Sequence, residues 1–159
     1  MILKIISGGQ TGADRGALEA AIDRNFPHGG FCPKGRRAED GVIPPQFQLV
    51  ETLQFDYPPR TKLNIERSDG TLVLFKRSQG RGTQLTCRLA HMARKPLLEI
   101  DLVEVPREVA LVRILKWLDE NKIETLNVAG SRESKRPGLQ QEVFVLIRDL
   151  LIVQSEDKS

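Results

Sequence analysis

The chain has 159 residues, 24 of them basic and 21 acidic, for a net charge of +3. That length suits one domain burying roughly two-thirds of its unfolded surface and leaves little room for a second core. So slight a cationic surplus favours local anion binding over adhesion to nucleic acid, and two cysteines without a CxxC pair argue against a zinc knuckle, a structural metal or a disulfide framework.

Met1-Ile2-Leu3-Lys4 enters a strand pattern at once rather than an export leader. Ile2 to Ile6 reads as a strand buried on both faces of a parallel sheet, ending in Ser-Gly-Gly. From Ala13, the apolar residues Ala17, Leu18, Ala21 and Ile22 recur at helical spacing until Pro27 and Gly29-Gly30 close the helix. Gly30 to Cys32 is expected as a brief second strand and Pro33 to Pro45 as an ordered surface loop. Arg60 to Arg67 predicts a short helix, and Thr71 to Phe75 a buried strand. Gly80-Arg81-Gly82-Thr83 opens a helix with the stripe Leu85, Leu89 and Met92, and Leu97 to Ile100 is the next strand. Pro106 suits the first turn of a helix facing inward through Val109, Val112, Leu115 and Leu118, with Trp117 beside it. Thr125 to Ala129 is the last strand. The final helix aligns Leu139, Val143, Leu146, Ile147 and Leu150 ahead of a charged tail, residues 155–159. Its apolar stretch Val143 to Val153 is broken by Arg148 and Asp149, short of the roughly 20 residues a membrane span needs. A cytoplasmic protein without a membrane partner is expected.

Strands alternate with helices over residues 1–154, which predicts one α/β domain: a doubly wound, mostly parallel sheet of about five strands with helices on both faces. Right-handed crossovers then put the loops after strands one, two, three and five on one edge, where such sheets bind ligands.

Ser7 to Arg15 leads that edge. Gly8, Gly9 and Gly12 allow close backbone approach, the N–H groups at the start of the helix favour negative charge, and Gln10, Thr11, Asp14 and Arg15 supply polar contacts. Neither GxGxxG nor GxxxxGK[ST] fits, so the expected ligand is an oxyanion of unspecified kind. Lys34, Gly35, Arg36 and Arg37 form a second candidate, since arginine clamps phosphate or carboxylate in two-point fashion. In the third candidate, Arg60, Thr61 and Asn64, the residues Arg60 and Asn64 are four apart and share a helical face, so they either meet the ligand or bond to each other and a turn, whereas Ser68-Asp69-Gly70 reads as a turn with Asp69 bonding its own backbone. Gly80, Gly82 and Thr83 repeat the strand, glycine loop and helix arrangement of the first site. Ser131 and Arg132, in the segment Gly130 to Lys135, stand ready to cover the same pocket. His28, His91 and Trp117 have ordinary structural readings, and Cys32 is either buried or within reach of the pocket.

The series SGGQTGADRGAL, CPKGRRAEDGVIP, RTKLN with SDGTL, GRGT and LNVAGSRESKRPG resembles the family called putative molybdenum carrier, from residue 3 to about residue 150. That family is similar to a Rossmann-like superfamily containing lysine-decarboxylase-like phosphoribohydrolases and DNA-processing proteins. The resemblance implies a carrier for molybdenum cofactor or another phosphorylated or nucleotide ligand, with molybdoenzymes as recipients and a homo-oligomer, dimer or tetramer, as the assembly. It also leaves open a nucleotide-processing hydrolase using Asp14 or Glu133, and a single-stranded nucleic-acid binder. The phosphoribohydrolases carry a catalytic glutamate three residues after the loop threonine; here that position is Thr86, which puts their activity in doubt.

Overall fold

Short β-branched runs and apolar helical stripes follow one another along the chain, and most of them find a place in one central sheet or on its faces, while two small two-stranded sheets lie outside it. The computed structural model describes residues 1–158, with the elements β1 (Lys4–Ile6), α1 (Ala13–Asp23), β2 (His28–Gly29), β3 (Phe31–Cys32), β4 (Arg37–Ala38), β5 (Gly41–Val42), β6 (Val50–Glu51), α2 (Tyr57–Glu66), β7 (Gly70–Phe75), α3 (Arg81–Met92), β8 (Leu97–Asp101), α4 (Arg107–Glu120), β9 (Thr125–Gly130) and α5 (Leu139–Glu156). The central sheet has the order β2-β1-β9-β7-β8 and is parallel throughout. Its last strand in sequence, β9, enters between β1 and β7, pairing Leu126 with Ile5 on one side and with Gly70 on the other.

One core lies between the sheet and α1, α4 and α5. Alanines at 13, 17, 20 and 21 keep α1 thin, so α5 packs closely with Leu139, Val143, Leu146, Ile147 and Leu150, all buried. Each fully buried leucine or isoleucine contributes about 1.5–3 kcal/mol. Gly16 belongs to the same contact, because a Cβ there would stand 2.4 Å from the Gln140 carbonyl oxygen. The other face is covered by α3, with α2 packed against α3 and against β3, and the arm between β2 and α2 closes over a smaller cluster of Leu18, Cys32, Ala38, Ile43 and Phe47.

The structure departs from the sequence expectations in particular places. Central strand β2 is His28–Gly29 rather than Gly30 to Cys32. Gly30, at φ +127, turns the chain, and Phe31–Cys32 pairs instead with Val50–Glu51 outside the central sheet. On α4 the inward stripe is Ala110, Ile114 and Leu118, while Val109 and Val112 are exposed. Two overlapping stripes exist in that helix, and the one led by small Ala110 approaches the sheet. On α3 the inward residues are Thr83, Thr86, Cys87 and Ala90, and Met92 is exposed. Helix α5 continues through Glu156, into the segment expected as tail; Ser159 lies outside the described residues. Asp69 does not bond its own turn but accepts the N–H groups of Glu124 and Thr125, fastening the entry to β9.

Candidate functional site

The carboxyl ends of β1, β9 and β7 converge where the crossovers diverge, with α1 on one face and α3 on the other, which is the position that opens a crevice in a doubly wound sheet. A cavity of about 790 Å³ occupies it. Buried Asn127 of β9 forms its floor and donates through Nδ2 to Thr71 Oγ1 at 3.2 Å. Six cationic side chains line the walls (Arg60, Arg81, Arg88, Arg132, Lys135 and Arg136) against a single carboxylate, Asp14.

Of the first loop, Gly8, Gln10 and Asp14 reach this cavity. Arg60 Nη1 donates to Asp14 Oδ2 at 3.0 Å, in a pair almost closed to solvent. Burial pushes the Asp14 carboxyl upward, opposed by Arg60 and by the Gln10 N–H. A Cβ on Gly8 would fall 1.6 Å from Arg60 Nη1, so this glycine makes room for the guanidinium. Gly12, at φ +83, meets the opposite constraint, since a Cβ there would come 2.2 Å from the Ser131 carbonyl oxygen.

The remaining residues of that loop turn away from the cavity. Arg15 donates to the Gly9 carbonyl at 3.1 Å and to the Asp40 carboxylate. Thr11 donates its hydroxyl to Glu39, which also accepts the Ser134 hydroxyl at 2.6 Å. Asp40 is held below the ordinary carboxylate range by the Arg15 hydrogen bonds, against burial. For Glu39, burial works against ionisation, but hydrogen bonds from Ser134 and Thr11 outweigh it and lower its pKa as well. Two side chains expected to meet an oxyanion thus meet oxyanions of the protein's own.

The second constellation divides likewise. Lys34 lies over the Phe55 ring, the Gly35 N–H donates to Glu51, and Arg36 donates to the carbonyls of Ile43, Pro44 and Phe47, so all three organise the arm outside the cavity. Arg37 reaches the rim, 4.9 Å over Tyr57, whose ring Arg60 and Arg132 also approach at 5.4 and 5.0 Å. Arg60, Thr61 and Asn64 line the cavity, although the Asn64 amide is spent on both backbone groups of Phe31. Gly80, Gly82, Thr83, Ser131 and Arg132 line it too. Thr86, at the position of the phosphoribohydrolase glutamate, faces the cavity and donates to the Gly82 carbonyl at 3.1 Å. Glu133 accepts the N–H groups of Gly138 and Gln140 at the start of α5 and does not line the cavity, so Asp14 has no second carboxylate opposite it. Cys32 lies in the smaller cluster, outside the cavity. Sequence reasoning passed over Tyr57, Ser78, Arg88, Asn127 and Arg136. Asn127 carried a signal, as a polar residue inside an apolar strand, and Tyr57 another, before the Pro-Pro that opens α2.

The model of the circularly permutated YpsA SLOG family matches residues 5–151. The chain belongs to this family. As a member, it is also similar to a crystal structure described as "Putative molybdenum carrier protein" from Syntrophus aciditrophicus SB, at 44% identity and a TM-score of 0.92, over 94% of this chain and 95% of that one. No curated protein matches it. The expected Rossmann-like fold is the fold of this YpsA-type SLOG domain. Among its described residues no group of three or more His, Cys, Asp or Glu side chains could hold a metal ion, and no helix is long and apolar enough to cross a membrane.

Proposed function

We propose that the chain binds and carries a small phosphate-bearing or oxyanionic molecule of the molybdenum cofactor kind in the cavity between β1, β9 and β7. The observation behind this is charge: six cations face one carboxylate, and that carboxylate is already paired with Arg60. Cations with N–H donors suit phosphate and oxo groups, which prefer charge-assisted hydrogen bonds. Molybdenum would enter as cargo, held through its oxygens rather than by direct ligation. The solved neighbour's description as a molybdenum carrier points to the same cargo. Molybdoenzyme recipients, a dimeric or tetrameric assembly and a cytoplasmic setting belong to this proposal.

A nucleotide is the alternative occupant, supported by a cavity of about 790 Å³, within the size range of cofactor sites. Single-stranded nucleic acid fits less well, because the ring of Tyr57, an aromatic of the lining, faces three guanidiniums rather than an open stacking surface. A carboxylate without a second acid or base opposite favours binding over hydrolysis.

Thermal unfolding with molybdate, tungstate, pterin phosphates and nucleotides tests the proposal. A true ligand at about 100 times its Kd adds about 2.7 kcal/mol, a rise of about 5–10 °C in Tm for a domain of this size. Arg132→Ala should remove the rise. Stabilisation by none of these compounds would overturn it.

A further inference from the structure

The cavity has two anion-accepting poles. The first is the start of α3, where Gly80 and Gly82 have nothing within 4 Å of the place a Cβ would take, so neither glycine answers a packing demand of the protein. The backbone there is open to a ligand at the positive end of a 12-residue helix, with Thr83 buried beside it and Arg81 on the same turn.

The second pole lies across β9. Gln10 Oε1 accepts the N–H groups of Thr11 and Glu39 at 3.1 and 2.9 Å, which fixes the amide and turns Nε2 away from them as a donor. Gln10 Nε2, Ser131 Oγ and Arg60 Nε are all buried without a hydrogen-bond partner. Gln10 and Ser131 are 4% and 7% exposed, and all three residues line the cavity. A buried polar group left unmet costs about 1–3 kcal/mol, so three of them around one cavity mark a place built for an acceptor-rich group. Asp14 beside them is already spanned by Arg60 Nη1 and the Gln10 N–H.

We propose that the physiological ligand carries two oxyanion groups on one scaffold, one seated at Gly80–Thr83 and the other at Gln10, Arg60 and Ser131. This rests on the small-anion proposal above and narrows it. The first pole opens α3, beyond the loop that follows β7, whereas the second gathers at the ends of β1 and β9 and on α2, so the two belong to different walls of one cavity. Two groups carried on separate parts of one molecule, as in a sugar or nucleoside bisphosphate, or as a phosphate with a distant oxo group, suit such an arrangement. The excess of cations agrees, since one phosphate monoester supplies only about −1.5 to −2 of charge at neutral pH.

Calorimetric titration of the full chain with inorganic phosphate, adenosine monophosphate, adenosine 3′,5′-bisphosphate and a hexose bisphosphate decides the matter. Expected are two phosphates per chain, and one bisphosphate per chain bound at least about 100-fold more tightly than the monophosphate, through the effective concentration of the second group. The two bisphosphates separate a nucleoside scaffold from a sugar one. Gly82→Ala should remove one phosphate site and Ser131→Ala the other. Gln10→Glu, which keeps an acceptor toward Thr11 and Glu39 and loses the donor, should act like Ser131→Ala. A single phosphate per chain, loss of both sites by one variant, or no gain from the second phosphate overturns the two-pole arrangement while leaving the anion site standing. Binding of none of the four overturns both.

Discussion

Gly12 and Gly82 are both glycines at the start of a helix, and their surroundings assign them opposite roles. At Gly12 the φ of +83 and the Ser131 carbonyl oxygen 2.2 Å from a Cβ leave nothing that can yield, because the obstacle is backbone. Gly12→Ala should cost about 2–3 kcal/mol in urea unfolding. Gly82→Ala meets open space, should leave stability unchanged or raise it by up to about 1 kcal/mol, and should weaken anion binding. Arg60 is constrained in another way. Arg60→Met strands a buried carboxylate at a cost of about 3–5 kcal/mol at neutral pH. Burial already raises the Asp14 pKa, so its ionised form opposes folding. A raised folded-state pKa gives stability that is complete below the unfolded value and is lost as pH rises through the folded value. The Arg60→Met deficit should therefore shrink on acidification, and Asp14→Asn in the same background should recover much of it at neutral pH. A deficit independent of pH would exclude Asp14 as its cause.

At the scale of elements, the arm from Pro33 to Pro45 is held to the first loop by Glu39 on Thr11 and Ser134 and by Asp40 on Arg15. Both carboxyls have lowered pKa values. A depressed folded-state pKa gives stability present above the unfolded value, about 4, and lost as pH falls through the folded value. Amide exchange in this arm should therefore quicken relative to β7 as pH drops from about 6 to about 3, after correction for intrinsic rates, and Glu39→Gln with Asp40→Asn should show the faster relative exchange already at neutral pH. This arm also explains where sequence reasoning stopped. Arg15, Arg36 and Arg37 have the chemistry to clamp a ligand, but Asp40, 25 residues along the chain, takes Arg15, and backbone carbonyls between β2 and α2 take Arg36 and Arg37, pairings that only three-dimensional proximity decides. In α4 the difficulty was of another kind: with apolar residues on most sides of the helix, spacing alone does not choose between the Val109–Val112 stripe and the Ala110–Ile114–Leu118 stripe. Ile114→Ala should cost about 2–5 kcal/mol, and Val112→Ala, at an exposed position, within about 0.5 kcal/mol, by chemical unfolding.

Over the whole molecule, alternation of strands and helices was enough to place the glycine loops after β1 and β7 and the segment after β9 on one edge, because parallel crossovers have one hand. What it did not contain was sheet order, since β9 reaches the centre through long-range pairing that leaves no local pattern. That order brings the residues after β9, with their cations, between the two glycine loops. The cavity lining then carries five more positive than negative side chains, which exceeds the net +3 of the entire chain, so the remaining surface is slightly acidic. Small anions are drawn toward one opening, while a long polyanion lying across the surface meets like charge outside it. Inorganic phosphate should accordingly bind with a Kd that rises about tenfold between about 0.01 M and about 0.3 M salt, as the Debye length contracts from about 30 Å to below about 8 Å. Single-stranded DNA should be poorly retained on a filter even at the lower salt. Strong retention of DNA together with salt-insensitive phosphate binding would place the attraction on the outer surface and contradict a focused field in the cavity.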